Sequence, residues 1–294
     1  MSKKKKQKPR KRNLPTVTKA SAMTQGKNFK EELLDQYFEG KIPCITREES
    51  FCFDCVQCGE CCRDRGDILL NPLDIFRLCR KLQMEPETFF DKYCERYAGQ
   101  SSKLPLVRID FRPTYGLGGQ VEGMRCPFLS NRDGLYYCRV HDSKPFVCFS
   151  YPLGRLMDPE KGGQYILQTD GACKGARKAK QENIFHNVEQ WMGGKEKLDL
   201  EERFSKIYSE FLTSLRSWID IEKLAKYQKG QSREYGAWLS MVGHLLYCNY
   251  DFEKPETEFP EQFKKNMDLI KTLCEAFVAE MEGKVNLKPK ETAV

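Results

Sequence analysis

Apolar positions fall into a helical period in some windows of this chain and into alternation in others, and the switch between the two divides it. Phe29, Leu33, Leu34, Tyr37 and Phe38 stand at helical spacing and predict a short amphipathic helix. Ile68-Leu69-Leu70 reads as a short strand or an extended entry. Asn71-Pro72 is a helix start, an Asn cap with proline at the first helical position, and Ile75, Leu78, Cys79 and Leu82 make the stripe behind it. Pro86 opens a second helix, predicted over 87–97, with Phe89, Phe90, Tyr93, Cys94 and Tyr97 facing inward. From about 104 to 170 the texture changes. Residues 104–111 alternate loosely, and residues 164–169 form another strand candidate. Asp133-Gly134 marks a hairpin turn between Cys126-Pro127-Phe128-Leu129 and Leu135-Tyr136-Tyr137-Cys138. After about 176 the helical period returns, with Phe204, Ile207, Tyr208, Phe211, Leu212, Leu215, Trp218 and Ile219 on one broad face across 198–227. Two more helices are predicted over 238–248 and 263–281, separated by the proline-containing stretch 251–260. No internal repeat is visible, and the last ten residues are polar and expected to fray.

Composition supports a real core: 40% of the 294 residues are hydrophobic and 12% aromatic, enough for one large domain or two modest ones. The formal charge of +7 is a property of one end. Eight of the 49 Lys and Arg, and no acid, lie in the first twelve residues, so the rest of the chain sums to −1. Like-charged runs are usually solvated, and residues 1–25 are expected to be a disordered basic tail, with contact to a polyanion (RNA, ribosome or acidic membrane) as the functional alternative. No apolar stretch approaches the roughly 18–20 residues of a membrane span. Asn13-Leu14-Pro15-Thr16-Val17-Thr18, after the basic start, is no signal-peptide hydrophobic region. A cytoplasmic setting is therefore expected, where thiols stay reduced. There the fourteen cysteines read as ligands plus core residues, not as a disulfide frame.

The densest cysteine stretch shows neither period. In Phe53-Asp54-Cys55-Val56-Gln57-Cys58-Gly59-Glu60-Cys61-Cys62-Arg63 four cysteines fall within eight residues. A Cys-x-x-Cys turn points two sulfurs into one concavity, and the next such step adds a third. Gly59 lets the backbone take positive φ and turns amide N–H groups toward thiolates. Four more cysteines sit among turn residues rather than on an apolar stripe. Cys126 precedes proline at the mouth of the hairpin, and Cys138 closes it. Cys148 lies between Pro145 and Pro152, and Cys173 lies in the glycine-flanked Asp170-Gly171-Ala172-Cys173-Lys174-Gly175. Cys79, Cys94, Cys248 and Cys274 instead fit helical stripes and read as core.

These eight positions resemble the YkgJ-type cysteine-cluster family, a zinc- or iron-chelating domain. The resemblance rests on Phe-x-Cys-x-x-Cys-Gly-x-Cys-Cys-Arg at 53–63, Cys-Pro-Phe-Leu at 126–129, the Cys-x-x-His-x-x-x-Pro-x-x-Cys-x-x-x-Pro run from Cys138 to Pro152, and Cys173 with Gly175. The helix opening with Asp74-Ile75 fits too, and the likeness covers about 50–176. Phe149 departs from the family, which often has arginine there, and Cys52 is extra and not counted as a ligand. The resemblance implies that Cys55, Cys58, Cys61, Cys62, Cys126, Cys138, Cys148 and Cys173 are metal ligands. Eight thiolates suit two four-coordinate sites, or one site with spares. Adjacent Cys61 and Cys62 are expected to diverge and so to serve different sites or metals. Structural zinc usually takes two close Cys pairs. A Cys-x2-Cys-x2-Cys triad with a remote Cys-Pro is closer to bacterial [4Fe–4S] ligation, and both an iron–sulfur cluster and zinc stay open as the cofactor.

His141 is expected to be a hydrogen-bonding loop residue rather than a ligand, and His186 and His244 to lie on helices. Arg63 suits either neutralising a thiolate cluster or a surface ion pair. Gly116-Leu117-Gly118-Gly119 opens no helix and is rejected as a nucleotide loop. No Ser-His-Asp, paired-carboxylate or P-loop arrangement presents itself. The fold expected is α+β and irregular: a cysteine-rich metal-binding domain over 40–176, with short strands and two helices, then an α-helical C-terminal domain over 177–284. The function expected is a binding or structural module whose metal organises a loop-rich fold and whose work is contact with a protein partner or metal handling. The alternative is an iron–sulfur-containing enzyme. The cluster is similar to that of flagellin lysine N-methylases, which use S-adenosylmethionine, although only the cysteines carry over.

Overall fold

A computed structural model describes residues 39–283, apart from 42, 67, 101, 159, 169–172 and 230–232. The expected helix from Phe29 to Phe38, the basic tail, the turn before Cys173 and the final ten residues lie outside the described residues. β1 (Ser50–Cys52) leads into the cysteine loop and β2 (Leu69–Leu70) leads out of it. α1 (Pro72–Leu82) starts where Asn71-Pro72 places it. Asn71 Oδ1 accepts the Asp74 amide at 2.9 Å while the Asp74 carboxylate accepts the Asn71 amide at 3.0 Å, a reciprocal capping box. Its stripe faces the interior, with Ile75 and Leu78 at 0% exposure, Cys79 at 1% and Leu82 half-buried.

α2 (Pro86–Tyr93) stops a turn early. Residues expected to complete it form β3 (Cys94–Ala98), which pairs antiparallel with β4 (Pro105–Ile109), while β2 pairs with the same strand. Five ladder positions capture Cys94–Ala98, so long-range pairing overrides the helical period of Tyr93, Cys94 and Tyr97. An unpredicted hairpin follows, β5 (Arg112–Tyr115) with β6 (Val121–Arg125), and Gly116–Gly119 is its exposed tip. β7 (Leu129–Arg132) and β8 (Leu135–Cys138) form the expected hairpin. Asp133 (φ 51°) and Gly134 (φ 82°) are both left-handed, as a two-residue primed turn requires.

Next come α3 (Phe146–Ser150), the β9 (Leu153–Asp158) and β10 (Gly162–Leu167) hairpin, and α4 (Lys174–Glu182). β11 (Phe185–Asn187) pairs with β1, so His186 sits on a strand opposite Phe51 rather than on a helix. Four longer-range packing elements complete the chain after α5 (Val188–Trp191): α6 (Lys195–Trp218), α7 (Ile221–Lys229), α8 (Arg233–Tyr247) and α9 (Phe259–Met281). The single helix expected over 198–227 is broken at Ile219, which is extended and buried. Asp220 Oδ1 then accepts the amides of Glu222 at 2.8 Å and Lys223 at 3.2 Å, starting α7 afresh.

From Cys44 onward the described residues form one unit with two hydrophobic cores. The larger joins α1, α2 and the β2–β4–β3 sheet to α6, α8 and α9. Phe76 meets Phe252 and Phe259, and Phe204 meets Phe259 and Phe263, with ring centroids 5.0–5.4 Å apart. Tyr247 and Tyr235 of α8 donate their hydroxyls to the carbonyls of Pro105 and Lys103, each at 3.0 Å. The smaller core gathers Phe51, Phe53, Leu153, Tyr165, Ala176, Val188, Met192 and Leu198. The fold is α+β, with its C-terminal stretch helical. Among the described residues no helix is long and apolar enough to cross a membrane.

Candidate metal centre

All fourteen cysteines are free thiols. Phe53 anchors the start of the cysteine loop in the smaller core, edge-on to Tyr151 at 5.8 Å and to Trp191 at 5.3 Å. The chain then turns tightly. Gln57 (φ 51°) and Gly59 (φ 71°) are left-handed, and Glu60–Cys62 is a single 3₁₀ turn closed by Cys62 N–H to the Gly59 carbonyl at 3.1 Å. A Cβ at Gly59 would stand 2.9 Å from Cγ of Tyr136, so both φ and space call for glycine there.

Three backbone stitches hold the loop against the two central hairpins. Tyr136 N–H donates to Gln57 O at 3.1 Å, Cys126 N–H to Cys62 O at 2.9 Å, and Asp64 N–H to Met124 O at 2.8 Å. Cys62 is thereby set beside Cys126. The sulfurs of Cys61 and Cys62 lie 3.8 Å apart, so the neighbouring side chains meet instead of diverging as expected. The Arg63 guanidinium lies over the Tyr136 ring at 4.3 Å. Lys144 and Arg65 bring positive charge toward Cys61.

Cys61, Cys62, Cys126, Cys138 and Cys148 form one electrostatic neighbourhood. Cys62 is raised by its hydrogen bond to Cys61, by burial and by the nearby Cys126 and Cys148 sulfurs, while accepting that bond holds Cys61 below the ordinary thiol range. Cys126 is pushed up to about 11, chiefly by burial, against the amides of Phe128 and Leu129 directed at its sulfur. Burial also raises Cys138, opposed by the Val140 amide and by Lys144. Cys148 is raised by burial first and then by Cys126, Asp74, Cys138 and Cys61. Crowded thiols hinder one another's ionisation, whereas a coordinated metal deprotonates them outright, and amides aimed at sulfur favour the thiolate. This donor set fits a thiophilic metal or cluster.

Cys148 is placed by a residue that sequence reasoning noted only as part of a helix opening. The second carboxylate oxygen of Asp74 accepts the Phe146 amide at 2.7 Å, fastening the turn that carries Cys148 to the cap of α1. Asp74 is 1% exposed, and burial together with Glu201 pushes its carboxyl up to about 7 against its two amide donors.

Cys58 and Cys173 lie beside the start of α4. The Cys58 thiol donates to Glu60, and Glu60 pairs with Lys174 at 2.8 Å. Cys173 is the N-cap of α4 and packs on the smaller core. That helix end abuts the loop, for a Cβ on Gly175 would overlap the Asp54 carbonyl, and Lys178 pairs with Asp54 at 2.5 Å. Cys55 is exposed between these anchors. His141 is exposed on the 3₁₀ turn His141–Ser143. Cys79 and Cys274 are core residues, and Cys94 and Cys248 pack partly buried against the same core.

Residues 54–187 match a family model, CxxCxxCC, described as a putative zinc- or iron-chelating domain. No curated protein matches the chain, and no solved structure does. The matched span runs from the residue before the first loop cysteine to the end of β11, enclosing all eight thiols described above. Residues 54–187 are thus similar to this zinc- or iron-chelating domain, and the match supports metal binding by the cysteine cluster they enclose.

Proposed function

We propose that this is a cytoplasmic metal-binding module in which Cys55, Cys58, Cys61, Cys62, Cys126, Cys138, Cys148 and Cys173 hold an iron–sulfur cluster or zinc. The observation that carries the reading is the convergence of Cys61, Cys62, Cys126, Cys138 and Cys148 from four separate segments into one neighbourhood lined by sulfur-directed amides. Five thiols exceed the four that one tetrahedral ion takes. With Cys55, Cys58 and Cys173 the set suits two four-thiolate sites sharing Cys-Cys at their border.

Two thiolates about 2.3 Å from one tetrahedral zinc stand about 3.8 Å apart, which is the Cys61–Cys62 separation. The Cys-x2-Cys-x2-Cys spacing of Cys55, Cys58 and Cys61, with the remote Cys126-Pro127, supports an iron–sulfur cluster instead. The cytoplasmic setting is supported by fourteen free thiols, which need a reducing compartment to persist. When bound, the metal supplies cross-links among loops that have little apolar surface of their own, and the chain's side chains supply its ligands and their orientation. The work this leaves for the assembled surface is contact with a protein partner. The basic N-terminal run is a separate polyanion-binding element whose affinity would fall steeply with salt.

Anaerobic purification with a visible spectrum and counts of iron, zinc and sulfide tests the proposal. A brown protein with sulfide, or a colourless one with zinc, is expected, and the iron, or the zinc that the eight thiols hold, is lost in Cys58→Ser and Cys148→Ser. Metal-free protein at full folding sinks it. Methyl transfer from labelled S-adenosylmethionine to flagellin by the pure protein would replace the module with an enzyme.

A further inference from the structure

We infer that Glu87, His244 and Cys248 form a second metal site, separate from the cysteine loop, for a single divalent cation of borderline softness such as Zn²⁺. Their ligand atoms (a carboxylate oxygen, an imidazole nitrogen and a thiol sulfur) all lie within 4.8 Å of one another. His244 Nδ1 is 3.9 Å from Glu87 Oε1. The set is one each of the three protein donors zinc prefers, with the fourth tetrahedral position left to water.

The backbone accounts for the convergence. His244 and Cys248 stand one helical turn apart at the end of α8, where Cys248 N–H bonds the His244 carbonyl at 2.8 Å, so both side chains share a face. Glu87 comes from the first turn of α2. The two helices are clamped beside the site by Tyr247, 3% exposed, whose ring meets Phe90 edge-on at 6.5 Å. The C-terminal end of α8 also turns its negative pole toward the trio, which favours a cation there.

The Cys248 thiol is hydrogen-bonded to the Glu87 carboxylate, and Arg96, the cation nearby, is paired with Asp91 at 3.3 Å. A divalent ion seated between Glu87 and Cys248 takes the place of the thiol proton, which leaves to solvent as binding proceeds. Glu87 and His244 are 60% and 58% exposed at the side chain, so the ion enters directly from water. His244-x-x-x-Cys248 is a sequence signal at helical spacing, but its third ligand is 157 positions before His244 and only the fold brings it in.

The test is a titration of the full chain, retaining whatever metal it carries on anaerobic isolation, with Co²⁺ alone, read by the thiolate-to-cobalt charge-transfer band. Expected is a charge-transfer intensity in the native chain that exceeds that of Cys248→Ser by the contribution of about one bound Co²⁺. Co²⁺ affinity should fall at least about tenfold in both Glu87→Gln and His244→Ala, a loss that even an outer hydrogen-bond partner of a ligand can cause. Both of these side chains are exposed, so the variants keep their fold. A band of the same size in Cys248→Ser, or an affinity unmoved in both other variants, overturns the site. Because the difference between chains is read, the outcome does not depend on what the eight-cysteine cluster binds.

Discussion

At the scale of single residues, Asp74 does two jobs with one carboxylate. It closes the capping box of α1 and it holds the Phe146 amide two residues before Cys148. Asn at this position keeps one acceptor and turns an N–H₂ toward an amide donor, so Asp74→Asn should cost about 1–3 kcal/mol in denaturant unfolding at low pH. The pH dependence follows from the sign of the shift. The folded carboxyl is pushed up to about 7 from an ordinary value of 3.8, so its contribution is fully present below about pH 4 and is lost as pH rises through about 7. The native chain should therefore lose stability relative to Asp74→Asn between pH 4 and 7, and the two should run parallel above that. Curves parallel throughout would mean that Asp74 is already ionised in acid, with its amide donors outweighing burial.

At the scale of elements, the site depends on how closely a helix end and a loop approach. α4 reaches the cysteine loop only because Gly175 has no Cβ to meet the Asp54 carbonyl. Gly175→Ala should push Cys173 and the Lys178–Asp54 pair off the loop at a cost of about 1–3 kcal/mol, the usual range for overpacking. Metal content should drop with it, while the far-removed aromatic packing of α6 and α9 stays intact by near-ultraviolet circular dichroism. Full metal content in Gly175→Ala would show that Cys173 is not needed to hold it. What the sequence made legible here had local causes: the Asn71-Pro72 cap, the Asp133-Gly134 turn, the stripes of α1 and α6. What it hid depended on distant partners. Cys94–Ala98 looked helical until β4 supplied a ladder, β1 and β11 are three residues each and have no period to read, and Ile219 left its helix to enter the core. The eight thiols were visible as types in turns, and the approach of Cys126, Cys138 and Cys148 to Cys61 and Cys62 was not. That approach is set by hairpins folding back on the loop.

At the scale of the whole molecule, the helical C-terminal stretch reaches into the cysteine region through a buried charge cluster. Glu201 of α6 is 0% exposed and bonds Arg77 of α1, which also bonds Glu256, while Arg155 of β9 lies 4.0 Å from its other oxygen. Arg155 in turn donates to Ser205 and lies over Phe146, 3.9 Å from the ring centroid, on the turn that carries Cys148. Three segments far apart in sequence thus share one carboxylate. Burying these ions stabilises little in net terms, because desolvation offsets their attraction, but removing one partner leaves the others buried and uncompensated. Glu201→Ala should cost about 3–5 kcal/mol, or roughly 10 °C in melting temperature for a chain of this size. Its effect should also reach the thiols. Freed from Glu201, Arg155 no longer has a fixed position over Phe146, so Cys148 should become open to alkylation in the metal-free protein at temperatures where the native chain still protects it. Peptide mass spectrometry of iodoacetamide-treated protein reads this directly, with Cys274, buried in the helical core, as the internal reference. Equal protection of Cys148 in both chains, despite the lower melting temperature, would separate the charge cluster from the cysteine site and leave it a purely structural tie between helix and sheet.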